Sequence, residues 1–148
     1  MNERTGFSYG CVATSTLLAL SPLLSLGAPP GASDEAATVT QLMQRDLSSS
    51  TTQEALVLTV AYRPGGASLP HRHDAQVFVY VLEGEMTMQV DGHAAVTLRP
   101  GQTFYEGPGD IHRVSANASK TAPAKILVFM IKDKNKPASR AVTEERSP

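Results

Sequence analysis

Histidine is the residue of this chain whose number and spacing best suit metal chemistry. His71 and His73 are two residues apart and directly precede the apolar run Gln76–Leu82. In an extended segment the side chains at positions i and i+2 point to the same face, so both imidazoles are predicted to aim at one point. Imidazole binds divalent transition metals such as zinc, iron, copper and nickel. We expect His112, in the segment GPGDIHR, to join them as a third ligand.

The other side chains that could bind a metal are predicted not to belong to the site. His93 lies in the turn sequence DGH and is predicted to be exposed and without a role in the site. Met86 and Met88 occupy alternate positions of a strand, so we expect them to line the interior of the fold rather than to bind copper. The single cysteine, Cys11, excludes a disulfide framework and any zinc or redox site of the CxxC type.

The segments that must position the histidines show the period of two that is typical of β-strands. The predicted strands are Val39–Leu47, Glu54–Arg63, Gln76–Leu82, Gly84–Val90, Ala95–Leu98, Phe104–Glu106, His112–Ser115 and Ala124–Ile131. Turn sequences separate them, and Asp91-Gly92 predicts a hairpin turn of type I′. Many short strands without a convincing helix beyond the N-terminal region predict an all-β sandwich or barrel.

The strand QVFVYVL is apolar on both faces. Its three valines alternate with Phe78 and Tyr80, so the two sets are predicted to lie on opposite sides of the sheet. A barrel interior covers only one of these faces, and something else must cover the other. We therefore predict a homodimer. The alternative is that the N-terminal segment folds back over the sheet.

The N-terminal region has the pattern of a secretory leader. Arg4 and the terminal amine come before the apolar run Val12–Leu26, and the small residues Gly27 and Ala28 follow it. Residues 1–28 are therefore predicted to be a signal peptide, which implies a periplasmic or secreted protein. The alternatives are an N-terminal helix packed on the domain and an uncleaved anchor.

Length and charge limit the remaining possibilities. The chain has 148 residues, which is enough for one domain with its own core. Residues 29–37 are predicted to be a linker, residues 38–132 the β-barrel domain, and residues 133–148 a disordered charged tail. A net charge of -1 favours neither nucleic acid nor an anionic membrane as a partner, so no stable membrane association is expected once the leader is removed.

Two groups of residues resemble the two sequence motifs of the cupins. The first group is Gly65, then His71-x-His73 after five residues, and later Gly84; the second is Gly101, Pro108, Gly109, His112 and Asn117. Within the superfamily the chain is most similar to small single-domain cupins described as quercetin-dioxygenase-like. The resemblance implies an all-β fold, a jelly-roll β-barrel, with one metal on inward-facing ligands and a small-molecule substrate or ligand.

The chain departs from the cupin pattern at one metal ligand. Val77 stands where the motif has a glutamate, which leaves His71, His73 and His112 as the metal ligands that the resemblance implies. Gln76 could replace the carboxylate, but strand parity points it away from the face of Val77. Glu106 is the better candidate, as a ligand, as an acceptor of a ring N–H, or as a catalytic general base. The alternative for Glu106 is a solvated carboxylate in a turn.

The predicted function follows from this ligand set. We expect an exported metal-dependent oxygenase acting on a small phenolic or thiol substrate, with Fe²⁺ favoured and Zn²⁺, Mn²⁺, Ni²⁺ or Cu²⁺ as alternatives. The second hypothesis is a non-catalytic module that binds a small ligand or only a metal. A degenerate cupin with a structural role is the third. The fold alone does not distinguish them.

Overall fold

The computed structural model describes residues 36–142 of the chain. The predicted signal peptide and most of the predicted linker lie outside the described residues. Within residues 36–142 every regular element is a strand. The strands are β1 (Ala37–Asp46), β2 (Gln53–Tyr62), β3 (Ala67–Ser68), β4 (His71–Arg72), β5 (Ala75–Glu83), β6 (Met86–Val90), β7 (Val96–Leu98), β8 (Thr103–Glu106), β9 (Ile111–Asn117), β10 (Ala124–Asp133) and β11 (Arg140–Ala141).

The strands form two antiparallel sheets. The first sheet has the order β1-β2-β10-β5-β8 and the second has the order β11-β4-β9-β6-β7, with β3 also paired to β9. Strands that are neighbours in a sheet are mostly distant in sequence, as in a jelly roll. The predicted all-β jelly-roll fold is confirmed.

The inner faces of both sheets form the core, as the alternation of residue types predicts. Met86 and Met88 on β6 are fully buried, and the inward valines of β5 are exposed by 3% or less. Both methionines pack within the hydrophobic core, which confirms the expectation that they line the interior. The predicted strand boundaries agree with β2 and β5 to within one residue at each end.

The outer face of the first sheet carries aromatic side chains. Phe78 and Tyr80 are 45% and 43% exposed, opposite the buried valines of the same strand. The Phe78 ring lies 5.4 Å from the ring of Tyr105 and 6.0 Å from that of Phe129, which extends the aromatic surface over three strands. The predicted two-sided apolar strand is therefore present. The homodimer that would cover its outer face stays a prediction.

A buried ion pair lies inside the barrel between β2 and β10. The Lys132 Nζ donates to Glu54 Oε1 at 2.5 Å, and Gln44 Nε2 donates to the other carboxylate oxygen at 2.7 Å. These hydrogen bonds, that of Lys132 first and that of Gln44 second, hold the pKa of Glu54 below its ordinary value.

The structure differs from the sequence prediction in the segment after β10. Residues 133–148 were predicted to be a disordered tail, but Asp133 ends β10 and Arg140–Ala141 pairs with β4 as β11. A strand of two residues has no readable periodicity, and the charged residues around it conceal the signal further. Residues 143–148 lie outside the described residues.

The turn after β6 also differs from the prediction. A type I′ turn needs positive φ at both central residues. Gly92 has a φ of 77°, whereas Asp91 is not among the residues with positive φ. The loop from β6 to β7 therefore turns at Gly92 without the type I′ conformation, and His93 is exposed there as predicted.

Candidate metal centre

Strand pairing in the second sheet brings the three predicted histidines together. His71 on β4 lies directly opposite His112 on β9, and His73 follows two residues after His71. One ring nitrogen from each of the three residues lies within 4.8 Å of the others. His73 and His112 are buried and His71 is partly buried. The inference that the His-x-His pair and His112 point to one place is therefore correct.

Backbone carbonyls determine how two of these histidines present their rings. The Nδ1 of His71 lies 2.7 Å from the Leu69 carbonyl, and the Nδ1 of His73 lies 2.5 Å from the Ala138 carbonyl. A carbonyl oxygen only accepts, so each Nδ1 carries the hydrogen and each Nε2 keeps its lone pair when the ring is neutral. In metal-binding histidines, a hydrogen bond from the ring nitrogen that does not bind the metal commonly fixes the orientation of the ring.

Burial keeps His71 in the protonation state that a metal needs. Loss of solvation lowers the pKa of His71 below its ordinary value, although the hydrogen bond to the Leu69 carbonyl acts in the opposite direction. The neighbouring imidazoles of His73 and His112 lower this pKa further. A lowered pKa favours the neutral imidazole, which is the form that binds a metal ion.

Glu106 lies at the end of β8, against the histidines. Its side chain is 1% exposed, so the alternative of a solvated turn carboxylate is wrong. The Oε2 atom lies 3.1 Å from His112 Nδ1 and 3.7 Å from His73 Nε2. His112 also stacks on the ring of Phe104, with centroids 5.8 Å apart. The structure thus adds one carboxylate to the three imidazoles.

The position of Glu106 relates it to the glutamate missing at Val77. The two residues are direct partners in the pairing of β5 with β8, and both face the interior. The carboxylate therefore comes from the neighbouring strand, opposite the position where the cupin motif has it. Gln76 points outwards and accepts a hydrogen bond from the Tyr105 hydroxyl, so it does not replace the carboxylate.

The polar atoms of this site fit a metal ion. Among the described residues, Glu106 Oε2 and His112 Nε2 are the buried side-chain atoms without a hydrogen bond, since the contact of Glu106 Oε2 with His112 Nδ1 has the distance of an ion pair but not the geometry of a hydrogen bond. Buried polar groups are almost always paired, and a metal ion is one explanation for a group that is not. Three imidazoles with a carboxylate are a donor set that divalent transition metals accept. The cluster can therefore hold a divalent metal ion.

The site opens into a cavity of about 700 Å³ inside the barrel. Aliphatic side chains supply much of its wall, among them Leu58, Val60, Val79 and Val128. This volume is in the range of cavities that bind small molecules.

The cavity also contains a second polar group, which the sequence analysis missed. The hydroxyls of Tyr62, Ser68 and Ser115 line the same cavity as the histidines and are hydrogen-bonded to one another. The sequence signal that could have predicted it is the position of Tyr62, which has the same parity on β2 as the inward-facing residues Leu58 and Val60.

Comparison with known proteins agrees with the geometry. Residues 58–130 match the family model of the cupin domain. No curated protein matches the chain. Residues 58–130 thus form a cupin domain, and the jelly-roll fold of the described residues agrees with this.

Several solved structures share the fold. Oxalate oxidase in complex with the substrate analogue glycolate is 21% identical with a TM-score of 0.58, over 75% of this chain and 57% of that one. The DMSP lyase DddQ from Ruegeria pomeroyi is 21% identical with a TM-score of 0.54, over 66% and 47%. A protein with a double-stranded β-helix domain from Klebsiella pneumoniae is 18% identical with a TM-score of 0.58, over 76% and 89%. This chain thus spans little more than half of the oxalate oxidase, and these likenesses show the fold alone.

Proposed function

We propose that the chain is a metal-dependent oxygenase that holds one divalent transition metal, with Fe²⁺ favoured, on His71, His73, His112 and Glu106. The observation that carries this proposal is the convergence of these four side chains at a cavity, with two buried polar atoms that lack a partner. The proposed substrate is a small phenolic or thiol compound. An oxidase and a lyase both share the fold, so the reaction class is a proposal that rests on the site.

The groups of the protein at this site have separate proposed roles in holding the metal and in moving a proton. A bound divalent ion would polarise a substrate oxygen or sulfur and, in the case of iron, supply chemistry with O₂. The carbonyls of Leu69 and Ala138 hold the rings of His71 and His73 in place. Glu106, next to His112 and His73, would offset part of the charge of a bound ion as a fourth ligand. A carboxylate bound through one oxygen keeps the other as a proton acceptor, which gives Glu106 a second role as general base.

Metal analysis of the full chain, purified without chelators or a histidine tag, tests the proposal. We expect about one equivalent of a transition metal in the wild type and none in the double variant His71→Ala/His112→Ala. The matched control is His93→Ala, which removes an exposed histidine and should keep the metal. A wild-type protein that takes up no metal even after reconstitution would refute the metal site.

Oxygen consumption by the iron-loaded protein then tests the reaction. We expect a phenolic or thiol compound to raise the rate of O₂ uptake, and the double histidine variant to lose this increase. If no compound of either class changes the rate while the metal is bound, the protein is a binding module and not an oxygenase.

Export is proposed on the leader pattern of residues 1–28, with a periplasmic or secreted location. Within the described residues 36–142 no helix is long and apolar enough to cross a membrane. N-terminal sequencing of the protein recovered from the periplasm or the medium tests export, and a start near residue 29 is expected. An intact N-terminus on protein found only in the cytoplasm contradicts it.

A further inference from the structure

We propose that Tyr62, Ser68 and Ser115, which together form the hydroxyl cluster, bind the carboxylate of a small-molecule ligand whose other end reaches the metal centre. This inference rests on the proposed metal function, because it places the two ends of one ligand at two polar groups of the same cavity. It deepens that function by assigning a chemical class, a small organic acid, to the ligand.

The hydroxyl cluster joins the two sheets inside the barrel. The Tyr62 hydroxyl on β2 lies 2.9 Å from Ser115 Oγ on β9 and 3.0 Å from Ser68 Oγ on β3. Tyr62 is 3% exposed and Ser115 is 4% exposed, yet all three residues line the cavity. The hydroxyls of Tyr62 and Ser115 are therefore screened from bulk water, that of Ser68 is half-buried, and all three are accessible to a molecule in the cavity.

A count of hydrogens shows what the cluster still lacks. Three hydroxyls carry three hydrogens, and the two hydrogen bonds among them use two, whichever oxygen donates in each. Within the described residues these three hydroxyls make no further hydrogen bond. One hydrogen is thus left to donate, so the cluster suits a ligand group that accepts.

Charge favours a carboxylate as this group. A divalent ion with the carboxylate of Glu106 and three neutral imidazoles leaves a net charge of about +1 at a site where Glu106 and two of the histidines are buried. Burial of an uncompensated charge is costly, and one carboxylate on the ligand would balance it. Hydrogen bonds to a charged acceptor are also stronger than those to a neutral one.

Strand register sets the distance that the ligand must span. Ser115 follows His112 by three residues on β9, and Ser68 lies opposite Ser115 as His71 lies opposite His112. A β-bulge at Arg113 lies between His112 and Ser115, so the two rows are only two residues apart on the paired strand β6, or about 7 Å. A metal–ligand bond of about 2.1 Å and a hydrogen bond of about 2.8 Å leave about 2 Å between the polar ends of the ligand. A hydroxy acid of two or three carbons has this length, and one of four carbons exceeds it.

Binding of ω-hydroxy acids to the zinc-loaded full chain tests the inference. The probes are glycolate, 3-hydroxypropionate and 4-hydroxybutyrate, each compared with its primary amide by NMR titration. We expect the best-fitting acid to bind at least about 10-fold more tightly than its amide, which is the lower end of the effect of a hydrogen bond to a charged group. No preference for any acid over its amide overturns the inference.

The triple variant Tyr62→Phe/Ser68→Ala/Ser115→Ala should lose this preference. It removes three mutually bonded hydroxyls together and leaves none of them unpaired, so the fold should tolerate it. The control Tyr80→Phe removes an exposed hydroxyl on the outer face and should keep the preference. A triple variant that binds zinc and still prefers the acid shows that the cluster only joins the sheets, which overturns the inference.

Two further outcomes are a triple variant that does not fold and a wild type that binds no metal. If the triple variant does not fold, Ser68→Ala/Ser115→Ala replaces it, and an unchanged preference in this double variant overturns the inference. If the wild type takes up no transition metal even after reconstitution, the inference and the proposed function both fail. Bound zinc without a preference for the acid sinks the inference alone.

Discussion

The pairing of Val77 with Glu106 allows the carboxylate to be moved from one strand to the other. Both residues are 1% exposed and lie directly opposite each other on β5 and β8. We expect Glu106→Val to weaken metal binding, and the double variant Val77→Glu/Glu106→Val to recover most of the loss. The double variant puts the carboxylate at the position that the cupin motif uses.

The magnitude follows from the role of the carboxylate and the geometry of the pair. Loss of a group that supports a metal site costs 10- to 100-fold in affinity, or about 1.4–2.7 kcal/mol. Directly opposed residues have Cβ atoms about 4.5–5.5 Å apart, a displacement that a glutamate side chain can largely offset by changing rotamer. The double variant should therefore regain at least about half of the lost free energy.

Competition with a chromophoric chelator measures the zinc affinity of each variant. The matched control is Val79→Glu/Glu106→Val, which places a buried carboxylate on the same face but one row further along β5, opposite Phe104. About 7 Å separates successive rows on one face of a strand, so this control should not recover affinity. Equal recovery by both double variants, or full affinity in Glu106→Val alone, would refute the assignment of Glu106 to the metal.

Three further predictions concern the core, acid stability and assembly. Met88→Ala should cost about 2–5 kcal/mol in urea unfolding, because Met88 is fully buried, whereas the exposed Met43→Ala should cost less than about 0.5 kcal/mol; equal costs would contradict the core assignment. Since the folded-state pKa of Glu54 is lowered, its carboxylate adds stability that is complete above the unfolded-state value near 4.5 and is lost as the pH falls through the folded-state pKa. Urea unfolding of Glu54→Gln should therefore show a smaller loss of stability below pH 4.5, and an unchanged loss would contradict this. Phe78→Lys should convert the predicted homodimer to a monomer by light scattering, and a monomeric wild type would disprove the dimer.

The alternation of residue types along each strand was enough to predict which of its side chains face the interior of the barrel. The inward valines of β5, the buried methionines of β6 and the shared direction of His71 and His73 all follow from a period of two. Glu106 was recognised as a candidate, but its position opposite Val77 depends on the register between β5 and β8, which no local pattern encodes.

The hydroxyl cluster was missed for a related reason. Tyr62 and Ser115 are 53 residues apart, and only the packing of the two sheets brings their hydroxyls together. The contact of His73 with the Ala138 carbonyl spans 65 residues and depends on the segment that was predicted to be disordered. Contacts across such separations follow from the topology of the whole barrel.

The position of β11 has a consequence for the order of events during synthesis. His71 pairs with Ala141, and the ring of His73 is oriented by Ala138, so the ribosome must add 65 residues after His73 before that carbonyl exists. At about 5–20 residues per second this takes about 3–13 s. The nascent chain therefore carries its histidines for seconds before their orienting partners are made. Capture of the metal in its final geometry is thus a late event in the biogenesis of this domain.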